Sequence, residues 1–152
     1  MLATEVEEYL HAHIPLSQDM QVTVVSVCVD AVELHAPLEP NINHRETVFG
    51  GSASALAILA AWSLLYVRLH EDGVEARLVI QRNTMEYDRP ILGGFTAKSS
   101  LEQPEAWPRF TRMLARKGVA RITVTSELEH AGQVVGNLSG EFVALSEKAH
   151  NE

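Results

Sequence analysis

The chain has 152 residues, of which 46% are hydrophobic and 21% are charged, and its formal net charge is -8. This length predicts one domain over residues 1–152 with a substantial core. The negative charge argues against nonspecific binding to nucleic acid or to an anionic membrane, because both need a basic surface. The N-terminal residues are acidic and lack a long apolar run, so no signal peptide is indicated and we expect a cytoplasmic protein.

The first third of the chain predicts a helix and a β-hairpin. Thr4 can cap a helix with Glu7 as its capping-box partner, and Pro15 would end that helix after about His13. A β-branched run then predicts a strand, and an alternating run predicts its hairpin partner. These strands are Gln21 to Asp30 and Ala31 to Pro37, followed by a polar loop from Glu39 to Glu46.

The run from Thr47 to Leu69 contains no charged residue before Arg68 and predicts a helix buried on nearly all sides. Gly50 and Gly51 stand where the chain would enter the first turn. Small side chains keep this helix narrow, so that other elements can approach it closely; they are Ala53, Ala57, Ala60 and Ala61.

A membrane span is the alternative for this run, since about 20 apolar residues suffice to cross a bilayer. The run is rich in alanine and contains glycines and serines, and both flanks carry mixed charge rather than a positive bias. No second hydrophobic span accompanies it. We therefore predict the central helix of a globular domain and no membrane partner.

The second half of the chain predicts mostly strands. One helix interrupts them, with apolar residues at helical spacing and Gly118 placed to end it. The predicted strands are Ala76 to Tyr87, Gly94 to Leu101, Val119 to His130 and Gln133 to Leu145; the helix is Gln103 to Lys117, and the last residues, Lys148 to Glu152, are expected to fray.

Neither cysteine nor histidine chemistry indicates a metal site. Cys28 is the only cysteine, which excludes an intrachain disulfide, and its place in a strand-like run predicts a small buried core residue. The histidines do not cluster and no HExxH spacing occurs. We predict no metal and no bound cofactor.

Strands grouped around one segregated helix predict an α+β layer fold. Three segments then resemble the hot-dog thioesterases, most of all the YiiD C-terminal type and more distantly the phenylacetate-degradation type. They are Asn43 through Gly51 (NHRETVFGG), Glu86 through Pro90 (EYDRP) and the hairpin from Val119 to Leu145. The resemblance implies a hot-dog fold, in which a curved antiparallel sheet wraps a long central helix. The Gln103–Lys117 helix departs from the compact family pattern and could cover a pocket or a dimer edge.

The resemblance implies thioester hydrolysis at the start of the central helix. Backbone N–H groups of Gly50 and Gly51 could stabilise the oxyanion, because they lie at the positive end of the helix dipole and have no Cβ in the way. The alternative is that two glycines only permit a tight turn. Asn43 stands where related thioesterases orient the carbonyl or the water, and its alternative is an ordinary loop asparagine.

The general base stays open in the sequence. Phenylacetate-type relatives carry a carboxylate eight residues beyond the first glycine, where this chain has Ile58. Glu46 is the nearest carboxylate, Glu86 and Asp88 could enter the site of a facing subunit, and His44 could also take a proton. Each of these side chains could equally be solvated.

Other side chains are expected to contact an acyl thioester of coenzyme A or of an acyl carrier protein. The expected contacts are Phe49, Ser52, Ser54, Glu86, Asp88 and Arg89, with Arg82 and Arg121 as further candidates for the phosphates. The resemblance implies a homodimer or a dimer of dimers with sites between subunits. A non-catalytic acyl-CoA-binding protein is the alternative function, favoured by Ile58, and a hot-dog dehydratase or hydratase ranks last.

Overall fold

The computed structural model describes residues 1–147, so the predicted fraying of Lys148–Glu152 lies outside the described residues. The helices are α1 (Ala3–His13), α2 (Pro15–Asp19), α3 (Gly50–Glu71) and α4 (Trp107–Lys117). The strands are β1 (Thr23–Val27), β2 (Val32–Ala36), β3 (Ala76–Tyr87), β4 (Phe95–Leu101), β5 (Val119–His130) and β6 (Gln133–Ser146). Short 3-10 turns at Glu39–Asn41 and Pro104–Ala106 complete the order.

The six strands between residues 23 and 146 form one curved antiparallel sheet in the order β1-β2-β4-β5-β6-β3. Alternate residues of β5 are buried, because successive side chains of a strand point to opposite faces. The buried face packs on α3, where Ser126 Oγ donates a 2.7 Å hydrogen bond to the Ala57 carbonyl. The predicted α+β arrangement, a curved sheet around a long central helix, is confirmed.

The central helix α3 is the core element of the fold. Eleven of its 22 residues are buried, and the four small residues Ala53, Ala57, Ala60 and Ala61 are at most 1% exposed. By length and composition alone this helix could cross a membrane, but most of its apolar window is buried inside the sheet. The helix begins at Gly50 rather than Thr47, because Val48 bridges to Ile42 and donates its N–H to the Ile91 carbonyl.

The predicted cap of the first helix is wrong. The helix begins at Ala3, and the N–H of Leu2 donates to Glu5 Oε2 at 2.9 Å, so Thr4 lies inside the first turn. Glu7 instead accepts a 2.8 Å bond from the N–H of Val24 and ties α1 to β1. Pro15 ends α1 and also starts α2, since proline is well suited to the first position of a helix.

Cys28 was expected in the core, and it is exposed. Strand β1 is shorter than predicted and carries a bulge between Val24 and Ser26. The chain turns directly after it, with the N–H of Cys28 donating to the Ala31 carbonyl. The β-branched run therefore ends at the edge of the sheet, and Cys28 lies in the turn.

The helix predicted over Gln103–Lys117 begins at Trp107, and Gly118 ends it in the left-handed conformation with φ 72°. The first residue of α4 packs against the C-terminal end of α3, and the helix itself lies against β5 and β6. Trp107 Nε1 donates a 2.8 Å bond to Asp72 Oδ2, and the Arg68 guanidinium lies 4.5 Å from the Trp107 ring centroid. Trp107 thus ties the start of α4 to the end of α3 that lies away from the two glycines.

Candidate active site

The start of α3 presents free backbone donors. The N–H groups of Ser52 and Ala53 both bond to the Phe49 carbonyl. Those of Gly50 and Gly51 have no acceptor among residues 1–147. Unpaired N–H groups at a helix start carry the positive end of the dipole and attract developing negative charge. This position can therefore hold an oxyanion.

Two exposed aromatic rings flank these donors. Phe49 and Tyr87 are each 57% exposed although both are large and apolar. The Phe49 ring covers Gly51 so closely that a Cβ there would overlap it, whereas a Cβ on Gly50 would lie 3.6 Å from the Tyr87 ring. The Tyr87 hydroxyl donates a 3.3 Å hydrogen bond to the Gly50 carbonyl. We call Phe49, Gly50, Gly51 and Tyr87 the helix mouth.

Asn43 shapes the loop that leads to the helix mouth. Its Oδ1 accepts from the N–H groups of Arg45 (2.8 Å) and Thr47 (3.2 Å), and its Nδ2 donates to Thr47 Oγ1 at 2.9 Å. Among the described residues Nδ2 donates to Thr47 alone, so its second amide hydrogen is available to a ligand. The loop role and a substrate role are therefore compatible.

The neighbouring Asn41 has a structural position. It is 2% exposed, and its Nδ2 donates to the carbonyls of Met20 and Pro37. Its backbone carbonyl accepts from the N–H of Phe49 at 2.7 Å. Asn41 thus fixes the residue that precedes the two glycines, but its amide is buried away from the surface.

Glu46 lies on the turn that Asn43 closes. It is exposed and adopts the left-handed conformation with φ 62°, which is uncommon for a residue with a side chain. Its N–H bonds to the Asn43 carbonyl at 3.3 Å. Glu46 and the likewise exposed His44 are the titratable candidates on this loop.

Of the contacts predicted after α3, only Glu86 lies on β3, and it is on the opposite face from Tyr87. Tyr87 pairs with the buried Gly136, and Glu86 pairs with the exposed Asn137. Glu86 therefore faces away from α3 of its own subunit. Asp88 and Arg89 follow the strand, are exposed, and both donate their N–H groups to the Val135 carbonyl.

The remaining candidates occupy different environments. Ser52, Ser54 and Ile58 are half-buried on α3, and no side chain caps that helix. Arg89 bonds to Gln133 Oε1 at 2.9 Å beside the strand end. Arg82 and Arg121 lie on the outer face of the sheet, with Glu141 3.7 Å and Gln81 3.0 Å away respectively. Of the three arginines, only Arg89 is close in sequence to the helix mouth.

Sequence reasoning missed Tyr87 as a residue of the site. The motif EYDRP was recognised, but only its charged members were expected to contact a substrate. The sequence feature that could have indicated Tyr87 is an aromatic residue at the last position of an alternating strand.

Within residues 1–147 no three His, Cys, Asp or Glu side chains come together as a metal site would require.

Comparisons with known proteins support the fold. A family model described as "Putative thioesterase (yiiD_Cterm)" matches residues 3–146. A protein of unknown function from Chlorobaculum tepidum is 28% identical, with a TM-score of 0.88 over 95% of this chain and 94% of that one. A protein named as a putative thioesterase from Shewanella oneidensis is 23% identical, with a TM-score of 0.84 over 94% of this chain and 96% of that one. A protein from Pseudomonas aeruginosa, titled "Probable Thioesterase", is 20% identical, with a TM-score of 0.81 over 96% and 97% of the two chains.

Proposed function

The chain belongs to the thioesterase family of the yiiD C-terminal type, and on that premise we propose that it hydrolyses acyl thioesters of coenzyme A or of acyl carrier protein at the helix mouth. The observation that carries the proposal is the pair of N–H groups on Gly50 and Gly51 that have no acceptor among the described residues, at the start of the core helix. Such donors act where the transition state places negative charge, and each is worth about 100-fold in rate.

In the proposed reaction, water attacks the thioester carbonyl while the Gly50 and Gly51 amides bind the oxyanion. Glu46 accepts the proton of the water as the new C–O bond forms. When the C–S bond breaks, the thiolate leaves and is protonated by Glu46, so the products are the carboxylic acid and the free thiol. The remaining amide hydrogen of Asn43 orients the carbonyl or the water, and the rings of Phe49 and Tyr87 border the entrance.

The assembly is part of the proposal. Strand β3 has twelve residues, and within the described chain it has a strand neighbour on one side only, so half of its backbone groups face outward. Such an edge pairs readily with another strand. We propose a homodimer joined along β3, which would bring Asp88, just beyond the end of that strand, toward the helix mouth of the other subunit; Glu86 would stay on the outer face of the joined sheet.

A non-catalytic acyl-binding protein is the second candidate. Ile58 favours it, because a half-buried apolar side chain stands where related enzymes carry a carboxylate. This alternative predicts saturable binding of acyl-CoA without release of thiol. Replacing Glu46 by Gln would then leave the binding unchanged.

The test is a thiol-release assay with acyl-CoAs of short to long chain. Asn43→Ala removes both the loop bonds and the free amide hydrogen, whereas Asn43→Asp keeps the acceptor oxygens that hold Arg45 and Thr47. We expect both variants to lose about 100-fold in kcat, since positioning at the reacting centre has effects of that order. Activity retained by Asn43→Asp alone would reduce Asn43 to a loop residue, and no thiol release by wild type at any chain length would exclude hydrolysis of acyl-CoA.

A further inference from the structure

The hydroxyl group of Tyr87 makes a hydrogen bond that has no role in the proposed reaction. It donates to the Gly50 carbonyl at 3.3 Å, and its ring lies against the Cα of Gly50, where an added Cβ would find two ring carbons at 3.6 and 3.8 Å. The contact joins two residues that are 37 positions apart in the sequence, one at the start of α3 and one at the end of β3. It reaches the first peptide group of α3.

The position of Tyr87 is fixed by the sheet. Tyr87 ends β3 and pairs with Gly136 of β6, where the backbones approach so closely that a Cβ on Gly136 would lie 2.6 Å from the Glu86 carbonyl oxygen. Directly after it, Asp88 and Arg89 both donate to the Val135 carbonyl, at 2.9 and 3.2 Å. The pairing with β6 and the two bonds to Val135 thus fix the backbone of Tyr87.

The Gly50 carbonyl and the Gly51 N–H belong to the same peptide group. A hydrogen bond to the oxygen polarises that group and strengthens its N–H as a donor. The same bond also fixes the plane of a peptide between two glycines, which have more conformational freedom than any other residues. Both effects act on a donor that the proposed reaction directs at the oxyanion.

We propose that Tyr87 is a positioning residue that aligns and polarises the Gly50–Gly51 peptide for oxyanion binding. This inference rests on the proposed thioesterase function. The competing role is a simple wall for the substrate, which would need the ring of Tyr87 but not its hydroxyl. Removal of the Tyr87 hydroxyl would lower the rate if Tyr87 is a positioning residue and would leave the rate unchanged if it is only a wall.

Tyr87→Phe keeps the ring and removes the hydroxyl, Tyr87→Leu removes both, and Tyr66→Phe is a matched control on the far part of α3. We expect Tyr87→Phe to lower kcat about three-fold, because the 3.3 Å bond is longer than an ordinary O–H···O bond and its loss lies at the low end of the usual range, with KM changed less than two-fold. Its affinity for an acyl trifluoromethyl ketone, which mimics the oxyanion, should fall more than its affinity for an acyl-CoA thioether. Wild-type kcat in Tyr87→Phe, with loss only in Tyr87→Leu, would overturn the proposal.

A second readout separates this inference from the proposed function. The amide resonance of Gly51 in a ¹H–¹⁵N spectrum reports the bond directly, and phenylalanine keeps the ring next to it. We expect that resonance to move upfield in Tyr87→Phe and to stay in place in Tyr66→Phe. If wild type releases no thiol, the proposed function fails by itself; an unchanged Gly51 resonance would show that Tyr87 does not polarise this peptide.

Discussion

The two glycines at the start of α3 are not interchangeable. A Cβ on Gly50 would make ordinary contacts of 3.6 to 3.9 Å with Tyr87, whereas a Cβ on Gly51 would overlap the ring of Phe49. That ring is 57% exposed, so it can swing away at little cost in stability. Substitution at Gly51 should therefore disturb the entrance of the site rather than the fold.

We predict that Gly51→Ala lowers kcat/KM at least ten-fold and leaves the free energy of unfolding unchanged or slightly higher. Alanine is favoured over glycine in a helix by at most about 1 kcal/mol. Gly50→Ala is the matched comparison and should lose less activity. Urea unfolding and thiol release check both variants, and a large loss of stability in Gly51→Ala would show that the Phe49 ring cannot move.

Some residues of the site could be predicted from the sequence because their signal is local. Gly50 and Gly51 stand at the start of an uncharged run, and a helix start always leaves unpaired N–H groups. Tyr87 could not be predicted in this way, since its partner is the Gly50 carbonyl on another element. The Asn43 amide is similar: only the structure reveals how much of it the loop uses.

At the scale of elements, alternation located the long strands well. The predicted bounds of β3 and β5 match the structure to the residue, because each pairs with β6 along its whole length. The prediction for β1 was too long, since the chain turns at Cys28, whose N–H bonds to the Ala31 carbonyl. An alternating pattern thus predicts a strand well where pairing runs along its whole length, even at the sheet edge that β3 forms, and poorly where a tight turn ends the pairing.

Aromatic stacking joins α1 to the central helix. The Tyr66 ring lies 4.5 Å from that of Tyr9 and 5.1 Å from that of Trp62, measured between centroids. Burial raises the pKa of Tyr66 above its ordinary value of 10.0, and the nearby Tyr9 and Glu5 raise it further. The folded protein therefore keeps this phenol neutral at a pH where the unfolded chain ionises it.

The pH dependence follows from that sign. Because the folded pKa is the higher one, the stabilisation is fully present below pH 10 and is lost as the pH rises toward the folded pKa. We predict that wild type loses more stability than Tyr66→Phe as the pH rises above about 10, with parallel profiles below that pH. Urea unfolding at intervals below and above that pH tests it, and parallel profiles throughout would contradict it.

Trp107 anchors the start of α4 to the end of α3. Trp107 is 8% exposed, donates to Asp72 and lies against Arg68. We predict that Trp107→Phe costs about 2 kcal/mol, because it removes the hydrogen bond and leaves part of the volume empty. Asp72→Asn keeps an acceptor oxygen and should cost less, and equal thermal midpoints for wild type and Trp107→Phe would contradict the prediction.

At the scale of the whole molecule, the α+β class followed from the order of the elements, and the wrapped sheet from the family resemblance. The sheet order did not follow, because β3 pairs with β6 although β4, α4 and β5 lie between them in the sequence. Local pattern cannot predict such a pairing. It matters for the proposed function, since it makes β3 an edge and brings Tyr87 to the start of α3.

An open β3 edge leads to a prediction about assembly. If two copies pair along β3, the molar mass in solution should be at least twice 16.8 kDa. Folding would then be coupled to association, so the urea midpoint should rise with protein concentration. Turnover per subunit should fall on dilution as well, because the proposed dimer places Asp88 of one copy beside the helix mouth of the other. Sedimentation and dilution assays test these points together: a monomer mass with a midpoint independent of concentration would contradict the dimer, whereas a dimer with constant turnover on dissociation would confine the site to one subunit.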